Sequence, residues 1–177
     1  MQRLIVLQHV ERESGGLFAK IAFDLGLRII TCRLYLGDPI PEVREDDILL
    51  VMGGPMGISD IDNPLFPWFS EELKVLEYAL SKQIRVIGVC LGAQLMAYIY
   101  GCKVEPLLIN KQERAEVGWS PIYLCNNKYP YCLLFDQTIN VLHWHGDRIV
   151  LTNDSKIELI ASSNICKEQL FRINSVA

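Results

Sequence analysis

The sequence predicts an α/β fold, with a mostly parallel central sheet in its N-terminal part and a smaller β extension in its C-terminal half. Two patterns carry this expectation. Short, continuous apolar runs, typical of strands buried on both faces, alternate with stretches whose apolar residues recur at helical spacing. From Lys103 onward the pattern changes to short strand-like pieces separated by turn-rich sequence. With 177 residues, half of them hydrophobic, the chain is long enough to bury a substantial core, and 1–177 is expected to form a single domain.

Arg3-Leu-Ile-Val-Leu-Gln8 reads as the first strand, followed by a polar turn from Glu11 to Ser14. Leu17, Phe18, Ile21, Ala22 and Leu25 then recur at helical spacing, and Gly26 closes that helix at its C-cap. Arg28 to Leu34 reads as a second strand, which completes a βαβ unit and makes the first two strands parallel. Asp46-Asp-Ile-Leu-Leu-Val-Met52 is a third strand and runs directly into Gly53-Gly-Pro-Met-Gly57. Glycines there let the backbone fold tightly and present bare N–H groups, so the loop reads either as an oxyanion-binding segment or as an ordinary glycine-rich turn. After a polar, proline-containing loop from Ser59 to Pro67, Ser70-Glu-Glu offers an N-cap and an acidic first turn to a helix carrying Leu73, Leu76 and Leu80.

The next stretch, Ile84-Arg-Val-Ile-Gly-Val-Cys90-Leu-Gly-Ala-Gln94, organises the rest. An apolar strand ends in a cysteine and turns straight into an apolar helix that continues through Leu95, Met96, Tyr98 and Ile99 to Gly101. Gly88 and Gly92 flank Cys90 at the G-x-nucleophile-x-G spacing of a strained strand-to-helix elbow, where neighbours lacking a Cβ remove clashes that would otherwise forbid the turn. The amides of the first helical turn have no intrahelical partner and carry the positive end of the helix dipole, which favours a thiolate over a thiol. Cys90 is therefore a candidate nucleophile; the competing reading is a small hydrophobic residue at the end of a buried strand.

Val117 to Leu124, Ile139 to Leu142, Ile157 to Ser162 and Gln169 to Ile173 read as further strands, with a turn-rich segment from Cys125 to Tyr131. The charge run Lys111 to Glu116 is expected to be a solvated loop or edge. His143 and His145, at i and i+2 on a strand, share a face as a metal pair would, but no further ligand cluster accompanies them in the sequence and no metal is expected.

Composition narrows the function classes. A net charge of −4 gives no electrostatic reason to expect nucleic acid or an anionic membrane as partner. Six cysteines, at 32, 90, 102, 125, 132 and 166, lack the paired spacings of a zinc site and the density of a disulfide scaffold, so a reduced, cytoplasmic setting is expected. Leu4 to Leu7 is too short for an export signal, and the apolar stretch Val86 to Cys102 contains the elbow and Gln94, which argues against a membrane span.

Taken together, Leu7-Gln-His-Val10, Val51-Met-Gly-Gly-Pro-Met56, Gly88-Val-Cys-Leu-Gly-Ala-Gln94, Val117-Gly-Trp119, Val141-Leu-His-Trp-His-Gly-Asp147 and Ala161-Ser-Ser163 through Cys166 to Gln169-Leu-Phe-Arg172 resemble a class I, triad-type glutamine amidotransferase domain. The likeness is greatest to the stand-alone proteins related to the GMP synthase glutaminase. It implies a flavodoxin-like three-layer sandwich with a mostly parallel central sheet, helices on both faces and a small antiparallel β extension in the C-terminal half. It also implies that Cys90 attacks the side-chain carboxamide of glutamine, that the N–H groups of Gly54 and Leu91 hold the oxyanion, and that Gly53, Gln94 and the loop Trp144-His145-Gly146 hold the substrate. Attack would give a glutamyl thioester that water opens. No cofactor is implied; the implied partners are glutamine or a γ-glutamyl small molecule and an ammonia-accepting synthase.

One departure stands against these agreements. The family places its catalytic histidine and glutamate in a downstream Gln-Phe-His-x-Glu-like segment, whereas this chain stops at Ser175-Val-Ala177, so the chain is expected to be C-terminally incomplete, impaired or inactive. An apolar edge left uncovered would favour a homo-oligomer. Two further readings remain beside the enzyme: an inactive relic or glutamine-binding module of the same fold, and a flavodoxin-like domain using Cys90 as a redox sensor.

Overall fold

The computed structural model of the chain describes residues 1–125, 138–151 and 156–173. It divides into two compact units, 1–99 and 100–177. Cys132, most of the turn ending at Tyr131, and the terminal Ser175 to Ala177 lie outside the described residues.

In the first unit, strands β1 (Arg3–Gln8), β2 (Arg28–Arg33), β3 (Ile48–Val51) and β4 (Arg85–Gly88) form one sheet in the order β2-β1-β3-β4, with every pairing parallel. Central β1 is buried along its whole length, as a strand covered on both faces must be. Its side chains alternate between two apolar clusters. Ile5 and Leu7 join Leu49 and Val51 on one face, where α2 (Phe69–Ser81) and α3 (Leu91–Ile99) contribute Phe69, Leu76, Leu91 and Leu95. Leu4 and Val6 join Leu50 and Met52 on the other, against Ala19 and Ala22 of α1 (Gly16–Asp24). Helices thus cover both faces of a parallel sheet, as the sequence predicts.

Two local expectations are corrected. The apolar stripe expected to bury α1 does not: of its residues only Ala22 is buried, while Leu17, Phe18, Ile21 and Leu25 are exposed. The helix approaches the sheet through small residues instead, Gly15 standing against Val6 and Ala19 and Ala22 on the same side, and this close approach turns the large side chains outward. Helix α2 starts at Phe69 with no side-chain cap, so Ser70 is not its N-cap. Its first turn is acidic, as expected, and its buried stripe is Phe69, Glu72, Leu76 and Ala79, with Leu73 and Leu80 at the flank, so one of the two acids, Glu72, faces inward. The Gly26 stop holds: Gly26 takes a left-handed φ of 81°, and the Leu27 N–H returns to the Ala22 carbonyl.

In the second unit, β8 (Glu116–Leu124), β9 (Thr138–His145), β11 (Ile157–Ser162) and β12 (Leu170–Ile173) form an antiparallel sheet in the order β12-β11-β8-β9. Strand β5 (Lys103–Pro106) pairs with β10 (Asp147–Val150), and β6 (Leu108–Ile109) with β7 (Gln112–Glu113). The β extension is therefore antiparallel. The charge run from Lys111 is exposed through Ala115 around the turn of a short hairpin, as a solvated loop should be, and only its last residue, Glu116, is buried.

Candidate active site

The elbow is built by close backbone approach. Between the end of β4 and the first residue of α3, Cys90 adopts a left-handed φ of 49°, a conformation that costs a residue with a Cβ about 1–2 kcal/mol. The two flanking glycines are there for space. A Cβ on Gly88 would stand 2.6 Å from the Gly92 carbonyl carbon, and one on Gly92 would stand 2.2 Å from the Val51 carbonyl oxygen. That same oxygen accepts the Val89 N–H at 2.9 Å, so the turn is fastened to the end of β3. Cys90 is partly exposed, unlike the buried Cys32, Cys102 and Cys166. Burial, with the charge of Asp38, pushes the Cys32 thiol up to about 11, as expected of an inert cysteine.

The loop after β3 lies alongside this turn. The point where a Cβ on Gly53 would stand is 3.4 Å from Cys90 Cβ and 2.6 Å from a carboxylate oxygen of Glu13. A Cβ on Gly54 would stand 3.1 Å from His9 Cβ and 3.5 Å from Leu91 Cδ2. Leu91 is fully buried, so only its backbone could serve a ligand; Gln94 is nearly buried on α3, and its N–H bonds to the Cys90 carbonyl at 3.0 Å.

Behind the loop lies a buried ionisable pair. His9 Nδ1 donates to the Gly53 carbonyl at 3.0 Å and Nε2 stands 2.8 Å from Glu72 Oε1, with both side chains wholly inaccessible. Burial works against a charged ring, but Glu72, the Gly53 carbonyl and Glu13 outweigh it and hold the His9 pKa above the ordinary histidine value.

In the second unit, Trp144 is largely exposed, and the Gly146 carbonyl accepts the Leu107 N–H at 2.7 Å. His145 and Glu116 are direct cross-strand partners. Glu116, His143 and His145 place ligand-type atoms within 4.8 Å of one another, so a third potential ligand does accompany the histidine pair. Hydrogen bonds to neighbouring groups already engage most of these atoms. His145 Nδ1 donates to the Asp147 carbonyl at 2.9 Å and His143 Nε2 to that of Ser120 at 3.2 Å. The Gln169 amide stands 2.7 Å from Glu116 Oε2 and 3.1 Å from His145 Nε2.

Sequence reasoning passed over Glu13, Glu72, Glu116 and Gln169 as individual site residues. Only Glu72 carried a usable signal, a charge three residues after Phe69 and four before Leu76 on the apolar stripe of its helix.

Comparison with known proteins agrees with this architecture. The family model described as glutamine amidotransferase class-I matches residues 24–173. The glutamine amidotransferase-like protein YfeJ of Salmonella typhimurium is 31% identical over 173 residues, which is 95% of this chain and 69% of that protein. A glutamine-hydrolysing GMP synthase component of Saccharolobus solfataricus is 29% identical over 127 residues, 71% of this chain and 59% of that relative. Among solved structures, a glutamine amidotransferase from Thermotoga maritima superposes with a TM-score of 0.83 at 23% identity, covering 96% of this chain and 70% of that one. One from Methylobacillus flagellatus gives a TM-score of 0.79 at 24% identity, covering 97% and 66%. These two structures speak for the fold, and the extended sequence match assigns the lineage: the chain belongs to the class I glutamine amidotransferase family.

Proposed function

We propose that Cys90 is a nucleophile that attacks the side-chain amide of glutamine or of a γ-glutamyl compound, forming a glutamyl thioester and releasing ammonia. The observation that carries this is the partly exposed cysteine at φ 49° on a strand-to-helix turn, beside a glycine loop that approaches it without side chains. In this reading the N–H groups of Gly54 and Leu91 receive the developing oxyanion; a donor so placed contributes roughly 3–4 kcal/mol to lowering the barrier. Gly53, Gln94, Trp144, His145 and Gly146 hold the substrate, as the resemblance implies. Both ring nitrogens of His145 are already engaged, so its contribution would come from the main chain. We add Glu13: its carboxylate stands over Gly53 on the side of Cys90, and the natural counterpart for it is the α-ammonium group of the substrate.

Turnover needs a proton donor for the departing ammonia. The chain has three histidines, and each is occupied: His9 by Gly53 and Glu72, His143 by Ser120 and Glu116, His145 by Asp147, Glu116 and Gln169. We therefore expect this chain to bind glutamine and present Cys90 to it, with slow release; loss of the histidine in a serine triad costs on the order of 10^6 in turnover. An inactive glutamine-binding module is the second reading, favoured by the same commitments. Domain 1–177 is proposed to act as one amidotransferase-like domain, and an ammonia-accepting synthase is its proposed partner.

The test is covalent labelling with a chloroketone analogue of glutamine. The expected result is one label per chain, on Cys90, prevented by glutamine and absent in Cys90→Ala. Labelling that ignores glutamine would remove the substrate assignment. Ammonia release above the Cys90→Ala background separates the enzyme from the binding module.

A further inference from the structure

We propose that the buried His9–Glu72 pair positions the oxyanion-binding peptide: Glu72 holds the His9 ring, His9 clamps the Gly53 carbonyl, and the clamp aims the Gly54 N–H. The proposal rests on the reading above, in which the Gly54 N–H receives the oxyanion.

The geometry of one peptide carries the argument. The Gly53 carbonyl and the Gly54 N–H belong to the same trans peptide group, so they point in opposite directions. His9 Nδ1 fixes the oxygen at 3.0 Å, and the N–H must then face away from His9. The peptide runs beside Cys90 and Leu91, which approach the Cβ points of Gly53 and Gly54 to 3.4 and 3.5 Å.

Such a peptide needs an external restraint. Neither Gly53 nor Gly54 has a Cβ to limit its backbone: one at Gly53 would stand 2.6 Å from the movable end of Glu13, and one at Gly54 would crowd His9 Cβ at 3.1 Å and Met56 at 3.2 Å. A Gly-Gly peptide is also the one whose plane turns over most freely. Turning it over here would break the His9 bond and carry the N–H away from the side where it is needed.

The chemistry of the pair suits the task. A carbonyl and a carboxylate are both acceptors, so a ring lying between them is fully satisfied only when both of its nitrogens carry protons. Glu72, from α2, supplies the counter-charge directly, and Glu13, from the turn after β1, adds a weaker one; the raised pKa of His9 follows from that setting. With both side chains wholly inaccessible, the charge-assisted bond to the Gly53 carbonyl is not weakened by water. His9 is thus a positioning residue that acts through the backbone and touches no substrate.

Two double variants remove the same two buried charges and differ only in where the remaining amide can donate. In His9→Asn/Glu72→Gln the Asn nitrogen stands near the Nδ1 position and can still bond the Gly53 carbonyl. In His9→Gln/Glu72→Gln the amide reaches the Nε2 position and leaves that carbonyl free. The probe is the γ-aldehyde analogue of glutamine, whose hemithioacetal with Cys90 places an oxygen where the oxyanion would form. Its affinity is compared with that of glutamine measured in a Cys90→Ala background. The expected result is an aldehyde preference that falls roughly 10²-fold in the Gln variant and stays within a few-fold of the parent in the Asn variant. Equal losses in both, or no loss in either, would overturn the clamp. A parent chain whose Cys90 never adds to the aldehyde would instead sink the functional reading beneath it.

Nitrogen NMR of the unsubstituted chain tests the same claim without a fold-sensitive variant. Both ring nitrogens of His9 should be protonated at pH 7, and the Gly54 amide should shift as they titrate. A neutral ring with a bare Nδ1 would refute the proposal.

Discussion

Gly92→Ala is the sharpest probe of the elbow, because two physical effects predict opposite signs for it. Gly92 lies inside α3, where alanine is favoured over glycine by about 1 kcal/mol, so helix propensity alone predicts a more stable protein. The contact predicts the reverse. A methyl group at this position would stand 2.2 Å from the Val51 oxygen and 2.8 Å from the Val51 carbonyl carbon and Cβ. Two of those atoms are main chain and cannot rotate away, so α3 must lift from β3 or the Val89-to-Val51 hydrogen bond must stretch. Overpacking of this kind costs about 3 kcal/mol at the upper end of its usual range. The net effect is a loss of about 2 kcal/mol, or roughly 4–8 °C in Tm for a chain of this size. Gly146→Ala is the stability control, since nothing stands within 4 Å of the Cβ it would add, and it should shift stability by no more than about 0.5 kcal/mol. Thermal unfolding of the two variants, with chloroketone labelling of Cys90 alongside, reads out both fold and elbow. A Gly92→Ala chain that melts at or above the parent temperature would show that helix and strand do not meet as closely as described.

Three further outcomes are expected. Glu13→Gln should raise the glutamine concentration needed to protect Cys90 from labelling about tenfold, in line with losing a hydrogen bond to a charged group, while leaving protection by the analogue lacking the α-amino group unchanged; equal effects on both ligands would remove Glu13 from the pocket. Asp47 is buried, which raises its pKa, but the Arg3 guanidinium and the Arg44 N–H hold it below the usual carboxylate range. Its contribution is therefore complete above the ordinary aspartate pKa and lost as pH falls through the depressed value, so Asp47→Asn should cost about 3 kcal/mol at pH 7 and flatten the acid limb of the stability curve; an unchanged limb in acid titrations followed by circular dichroism would contradict this. Val117 pairs with Trp144 and Trp119 with Leu142 on one exposed apolar face of the β8–β9 ladder, so the homo-oligomer expected from the sequence should weaken in Trp119→Ser; sedimentation of the parent as a clean monomer at high concentration would refute it.

The readable features were those in which one residue type imposes a backbone constraint. Gly88 and Gly92 announced the elbow because the clash they avoid is with their own neighbours in sequence and with the strand beside them, and Gly26 announced the end of α1. The apolar run from Leu4 to Leu7 announced a doubly covered strand because neither of its faces carries a polar side chain. Hydropathy was less informative where helix and sheet meet through small residues. In α1 the large apolar side chains pointed to a core face, yet Ala19 and Ala22 form the contact. Such close packing depends on backbone separation, which hydrophobic periodicity does not record.

The polar groups around the candidate site were harder to read, for a different reason. His9 and Glu72 are 63 residues apart, and each alone has an ordinary explanation: a polar residue after a strand and an acid in the first turn of a helix. Their meaning arises only when β1 and α2 bring both side chains under the Gly53 carbonyl, where burial makes each depend on the other. Glu116 follows the same logic: it reads as the end of a charge run until pairing of β8 with β9 sets it against His145. In this fold the Cys90 turn is marked in the sequence by its glycine spacing, whereas the Gly53–Gly54 peptide beside it is held by a contact between distant segments. Substitutions at His9 that leave the Gly53 carbonyl without a donor should therefore alter ligand binding beside Cys90 while leaving the Cys90 turn itself intact.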